Sequence, residues 1–229
     1  MTEFVVENLA ASYGKVRVLE CVNLQVRSGE IVGLIGGNGA GKSTTLKAVS
    51  GTVARASGRV LIDGKEMGPR PEVMARHGVS HVPEGRRLFA SLSVEQNIRM
   101  GALAAGRRLG GGDIGHLYRI FPACEGLAGR RAGSLSGGEQ QMVAILRGLA
   151  SKPRVLMVDE VNLGLAPIVV DGLVRSLLDA ASELSLGVLL VDQNVNMLKK
   201  ICSRVYVLKN GRSQELTGEE GELESIYFN

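Results

Sequence analysis

Eight consecutive residues, Gly36-Gly37-Asn38-Gly39-Ala40-Gly41-Lys42-Ser43, match G-x-x-x-x-G-K-[ST] at every fixed position. That spacing suits one chemistry. Glycines without side chains let backbone N–H groups wrap a phosphate, and the positive end of a following helix adds to the field. Lys42 would set a point charge on the β- and γ-phosphates of a nucleotide, and Ser43 would offer a hydroxyl to Mg²⁺. A second string, Val155-Leu156-Met157-Val158-Asp159-Glu160, is a hydrophobic run ending in two acids. Asp159 can hold Mg²⁺ directly or through water. Glu160, one residue farther, can polarise an attacking water. The acid pair alone could equally cap a helix; a full phosphate loop in the same chain favours the hydrolytic reading. A third string, Leu135-Ser136-Gly137-Gly138-Glu139-Gln140-Gln141, puts a Ser and two Gly at a helix start, another anion site. One solution for a chain with a single phosphate loop is to present that site to a partner's nucleotide.

The elements that must position these residues are legible. IVGLIG before the phosphate loop is a continuous apolar run, as a strand buried on both faces should be. Lys42 to Ser50 reads as the helix that follows, stopped by Gly51. FVVENLAASYG and CVNLQV read as strands, RVLIDG as a strand with an Asp-Gly turn, and GVSHVPEG as another. Ser93 with Gln96 and Ser136 with Glu139 form capping boxes, which open helices through Leu103 and Leu149. Ala105 to Gly115 reads as a Gly- and Arg-rich loop, and HLYRIF as a short helix. Pro167 suits a helix N1 position, with an apolar stripe at Val170, Leu173, Val174, Leu177, Leu178, Ala181 and Leu184. GVLLVDQ and RVYVLKNGR are the last strands, the second turning at Asn210-Gly211. Strands alternating with helices predict an α/β fold with a mainly parallel sheet and an N-terminal β part. A mostly helical subdomain is expected at about 86–151, inserted between core segments at about 1–85 and 152–229 of one ATP-binding domain.

Composition excludes several classes. Hydrophobic residues are 45% and charged residues 22% of the 229, so disorder is excluded. Aromatics are 3% and Trp is absent, which argues against a stacking platform for single strands. The net charge of +4 is spread over separate basic pairs, too thin for a nucleic-acid footprint. No apolar run reaches membrane-span length, and the N-terminus lacks a signal-peptide pattern. Cys21, Cys124 and Cys202 are scattered, with neither metal spacing nor a disulfide framework, as for thiols in a reducing cytosol.

Together, these motifs resemble the ATP-binding-cassette (ABC) ATPases over nearly the whole chain. LSGGEQQ lies about twenty residues before VLMVDE, as in that family. The resemblance implies a P-loop NTPase core of the RecA-like type and a head-to-tail dimer, with ATP and Mg²⁺ as cofactors. Each ATP would sit between Gly36 to Thr44 of one subunit and Ser136, Gly137, Gly138 and Glu139 of the other. It implies that Tyr13 stacks on adenine, that Glu84 stands where the family's Mg²⁺-contacting Gln usually does, and that Gln193 stands in place of the switch His at the γ-phosphate. Val161 replaces a Pro, and Asn162 to Pro167 correspond to the loop that crosses the dimer interface.

VPEGRRLF, LSGGEQQM, GLAP and the Gln193-Asn194 pair resemble the shorter ATP-binding subunit of branched-chain amino acid importers. The implied partners are transmembrane permease subunits, a second ATP-binding subunit (sibling or identical chain) and, indirectly, an external solute-binding protein, with no nucleic acid. The implied place is peripheral, on the cytoplasmic face of the membrane. An amide or urea importer, a weakly hydrolysing regulatory half and, below these, a soluble nucleic-acid-associated ATPase stand as alternatives. Arg86-Arg87-Leu88-Phe89 fits either a permease anchor or a core Phe at a subdomain border. His81, near the Glu84 loop, is expected to complicate any pH profile.

Overall fold

A computed structural model of the chain describes residues 2–162 and 164–216. The strands, in chain order, are β1 (Glu3–Tyr13), β2 (Val16–Arg27), β3 (Ile31–Ile35), β4 (Arg55–Ile62), β5 (Lys65–Glu66), β6 (Val79–Val82), β7 (Val155–Asp159), β8 (Gly187–Val191), β9 (Arg204–Lys209) and β10 (Arg212–Glu215). The helices are α1 (Lys42–Val49), α2 (Pro71–Arg76), α3 (Val94–Ala104), α4 (Gly111–Ile120), α5 (Gly137–Leu149), α6 (Pro167–Glu183) and α7 (Val195–Ile201).

All the strands join one sheet in the order β5-β4-β1-β2-β10-β9-β3-β8-β7-β6. The half from β9 to β6 is parallel throughout. The other half is built by antiparallel pairing of β1 with β2 and β4, and of β4 with β5. β10 bridges them, antiparallel to β9 and parallel to β2. The α/β fold with a parallel core and an antiparallel N-terminal part is therefore present. The three most apolar strands, β3, β7 and β8, are buried at every position. Period-2 alternation then divides their side chains between two cores. Leu156, Val158 and Leu190 face the core built with α3, α4, α5 and α6. Met157 and Leu189 face the core built with α1 and the antiparallel strands.

Between β6 and β7 the named elements are α3, α4, α5 and two 3-10 turns. Both expected capping boxes form, Ser93 with Gln96 and Ser136 with Glu139. The stretch read as a loop over Ala105 to Gly115 differs: α4 begins inside it, at Gly111. Asp113 accepts from the Gly110 N–H at 3.0 Å and pairs with Lys152 at 2.8 Å. Burial of Ile114, Leu117 and Tyr118 secures the helix that the glycines alone would disfavour. The α6 stripe also shifts. Leu178 and Leu184 are exposed and Ala180 is buried in their place, because the face centred on Leu173, Leu177 and Ala180 packs into the core shared with α4 and α5.

Candidate active site at the edge of the parallel sheet

Register brings the candidates together. Leu34 of β3 pairs with Val191 of β8, and Val191 pairs with Asp159 of β7. These three residues form one row at the C-terminal edge of adjacent parallel strands, where ligands gather in open α/β sheets. Gly36, Glu160 and Gln193 lie one or two residues beyond that row.

The phosphate loop runs from β3 into α1. Gly36 has no alternative: a Cβ there would lie 2.6 Å from the Leu208 carbonyl oxygen of β9. Gly37, Asn38 and Gly39 are exposed, while Ser43 and Thr44 are half-buried in the first turn of α1. Lys42 is buried, and its Nζ donates to the Gly36 and Gly37 carbonyls at 2.7 and 3.1 Å. Next to the loop lies a cavity of ≈ 610 Å³ lined by Val16, Val18, Asn38, Gly39, Ala40 and Lys209, among others. Tyr13 is not among its lining residues and stands 47% exposed at the end of β1.

Asp159 is buried, and its Oδ1 has no hydrogen-bond partner among the described residues. Burial raises its pKa; the Ser43 hydroxyl opposes that, Glu84 and Glu160 add to it, and Lys47 opposes it. A buried carboxyl with an orphaned oxygen beside a hydroxyl fits a hard cation. Among the described residues no group of three or more His, Cys, Asp or Glu could hold a metal alone.

Glu160 carries φ = 50°, an uncommon conformation for a residue with a Cβ. Its N–H donates to the Val191 carbonyl at 2.8 Å, and its Oε1 accepts from Gln193 Nε2 at 2.8 Å. Asp192 lies behind this pair, fully buried. Its Oδ1 accepts from Asn162 Nδ2 at 2.9 Å and from the Asn194 N–H at 2.8 Å, and burial pushes its pKa up. Asp192 thus ties the loop after β7 to the loop after β8. Leu163, within that first loop, lies outside the described residues, as do residues 217–229 of the expected core. Glu160, Asn162, Gln193 and Asn194 line a cavity of ≈ 600 Å³.

The Ser136 helix start is a separate surface. Ser136 Oγ accepts from the Glu139 N–H at 3.4 Å, and Glu139 Oε2 accepts from the Ser136 N–H at 2.7 Å. A Cβ on Gly138 would lie 2.7 Å from Val169 Cγ1, so α6 requires the glycine. Among the described residues, no hydrogen bond joins Ser136 to the phosphate loop; its capping bonds run to Glu139.

Glu84 is exposed in the loop after β6. Arg86 and Arg87 follow with φ of 64° and 49°. Arg147 of α5, not singled out in the sequence, holds both: its Nη2 and Nη1 donate to the Arg86 and Arg87 carbonyls at 2.9 and 2.6 Å. Its guanidinium lies 5.9 Å from the Phe89 ring centroid. Phe89 is 47% exposed, so the core reading of this residue fails. His81 also departs from expectation. Burial, with a smaller push from Lys47, lowers its pKa to about 4, so it does not titrate near neutrality.

The model of the ABC transporter family matches residues 19–162, from β2 through the acid pair. The chain belongs to the ABC transporter family. It is an ATPase cassette of that family. It is 41% identical over 207 residues to the high-affinity branched-chain amino acid transport ATP-binding protein BraG of Pseudomonas aeruginosa, covering 90% of this chain and 88% of BraG. It is 36% identical over 219 residues to the lipopolysaccharide export system ATP-binding protein LptB of Escherichia coli K12, covering 92% and 88%. A nucleotide-free ATP-binding cassette from an ABC transporter superposes with a TM-score of 0.86 at 23% identity, covering 99% of this chain and 95% of that one. Among the described residues of this ABC ATPase, no helix is long and apolar enough to cross a membrane.

Proposed function

We propose that this ABC ATPase is the motor subunit of a membrane importer for branched-chain amino acids. The observation that carries this reading is the 41% identity to BraG across 90% of the chain. Lys42 exchanges the Gly36 and Gly37 carbonyls for phosphate oxygens when ATP binds. Ser43 and Asp159, with Glu84 beside them, are the residues that would hold Mg²⁺, which neutralises charge on the β- and γ-phosphates. Glu160 accepts the proton of the attacking water. The Gln193 amide has two N–H groups; one holds Glu160, which leaves the other for the γ-phosphate. Ser136, Gly137 and Gly138 serve the nucleotide of a second subunit, and Tyr13 awaits the base.

Permease docking is proposed at a groove of ≈ 530 Å³ lined by His81, Phe89, Met100, Leu103, Ala104 and Arg147, among others. Phe89, Met100 and Leu103 are exposed there, an apolar patch that suits a partner. The chain would then work peripherally at the cytoplasmic membrane face, with an external solute-binding protein as an indirect partner. The similarity to LptB supports a second reading, an export motor. Expression in a Pseudomonas strain lacking BraG separates them. Restored leucine uptake supports import. Failure there, with rescue of cells depleted of LptB, supports export.

A further inference from the structure

At the opposite end of the sheet, where β6 and β7 begin, a second cleft of ≈ 520 Å³ opens among the β4–β5 turn, the end of α2 and the loops before α4 and β7. Five cationic side chains line it, Lys65, Arg76, Arg107, Lys152 and Arg154, against one carboxylate, Asp63. The chain as a whole balances 27 cations with 23 anions, so this concentration is local.

The pairing within the cleft is incomplete. Asp63 Oδ2 is taken by Arg154 at 2.7 Å, and its Oδ1 accepts from the Glu3 N–H. Lys152 is taken by Asp113 at 2.8 Å, and Arg107 adds only to the field on that same carboxylate. Lys65 and Arg76 make no ion pair among the described residues. His77 also lines the cleft, where its Nδ1 donates to the Val73 carbonyl at 2.8 Å. Cations that converge on a concave site without counter-charge raise the local concentration of anions.

We propose that this cleft is a second anion site, separate from the nucleotide edge, that binds a phosphate-bearing ligand with at least two negative charges. Lys65, Arg76 and Arg107 supply the charge. The chemistry fits a phospholipid headgroup or a soluble oligophosphate. The cleft shares Ala75, Ala105 and Ser151 with the Phe89 groove proposed above for the permease, so a headgroup would sit at the rim of that docking surface. Clustered basic side chains at a membrane face attract anionic headgroups.

Two probes tell the sources apart. Co-sedimentation of the full chain with vesicles of neutral phosphatidylcholine, with and without phosphatidylglycerol, tests the headgroup. Tripolyphosphate titration followed by thermal unfolding, in a Lys42→Ala background that weakens the phosphate loop, tests the soluble ligand. The triple substitution Lys65→Gln, Arg76→Gln, Arg107→Gln should weaken whichever binding is seen by about 10²-fold, from three cations near a charged surface. Its unfolding midpoint without ligand should match the parent's. Vesicle binding lost in the triple variant assigns a headgroup; lost tripolyphosphate stabilisation assigns a soluble ligand. Absence of both bindings overturns the proposal. So does an equal loss when Arg175, Lys199 and Lys200 are replaced by Gln instead.

Discussion

Gln193 Nε2 donates to Glu160 Oε1 at 2.8 Å, linking the ends of neighbouring parallel strands β8 and β7. A carboxylate that must accept a proton from water gains from one fixed hydrogen bond, because its free oxygen is then aimed. Gln193→Ala should lower ATP turnover roughly 10–10³-fold, the range for loss of one positioned donor, with nucleotide affinity little changed. Steady-state turnover beside equilibrium ATP binding checks this. Parent-like turnover would reduce Gln193 to a strand-end amide.

Gln cannot titrate and His can. Gln193→His should retain much of the activity and gain an inflection near neutral pH that the parent lacks. His81 does not obscure the comparison, since burial holds its pKa at about 4. A parent profile with a His-like inflection between about pH 6 and 7 would contradict this assignment.

His81 also predicts how stability depends on pH. Its folded-state pKa lies below its ordinary value of 6.5, so on acidification the unfolded chain takes up the proton first. The stabilisation is full above about 6.5 and is lost as pH falls towards about 4. Across that window the parent should lose up to roughly 3 kcal/mol that His81→Phe keeps. Urea unfolding of both proteins at several pH values measures it; parallel curves would refute it.

Arg147 pins the two left-handed residues Arg86 and Arg87 through their carbonyls. Arg147→Met should destabilise the chain by about 1–3 kcal/mol, since two acceptors lose a charged donor. Arg147→Lys should rescue only part of this, because an ammonium cannot reproduce the fork. Denaturant midpoints decide, and full rescue by Lys would show that charge alone matters.

The parts of this molecule that local chemistry governs were legible in the sequence. Both capping boxes, the buried strands around the phosphate loop and the Asn210-Gly211 turn depend on residues a few positions apart. Arg147 on the Arg86 carbonyl spans 61 positions, and Asp192 on Asn162 spans 30. Neither pairing has a sequence signature. The start of α4 was hidden for the same reason: Lys152, far along the chain, holds the Asp113 that caps a run of glycines. Phe89 could be read either way because an aromatic beside two Arg carries no sign of burial until the groove around it is known.

The central claim is that each ATP is bound between two chains and hydrolysed through Glu160. Glu160→Gln removes the proton acceptor and leaves Lys42, Ser43, Asp159 and Ser136 in place. Light scattering on that variant at saturating ATP and Mg²⁺ tests the claim most directly. A mass near twice 24.3 kDa, returning to one chain when ATP is removed, is the predicted result. A single-chain mass at saturating ATP, with nucleotide demonstrably bound, would contradict it.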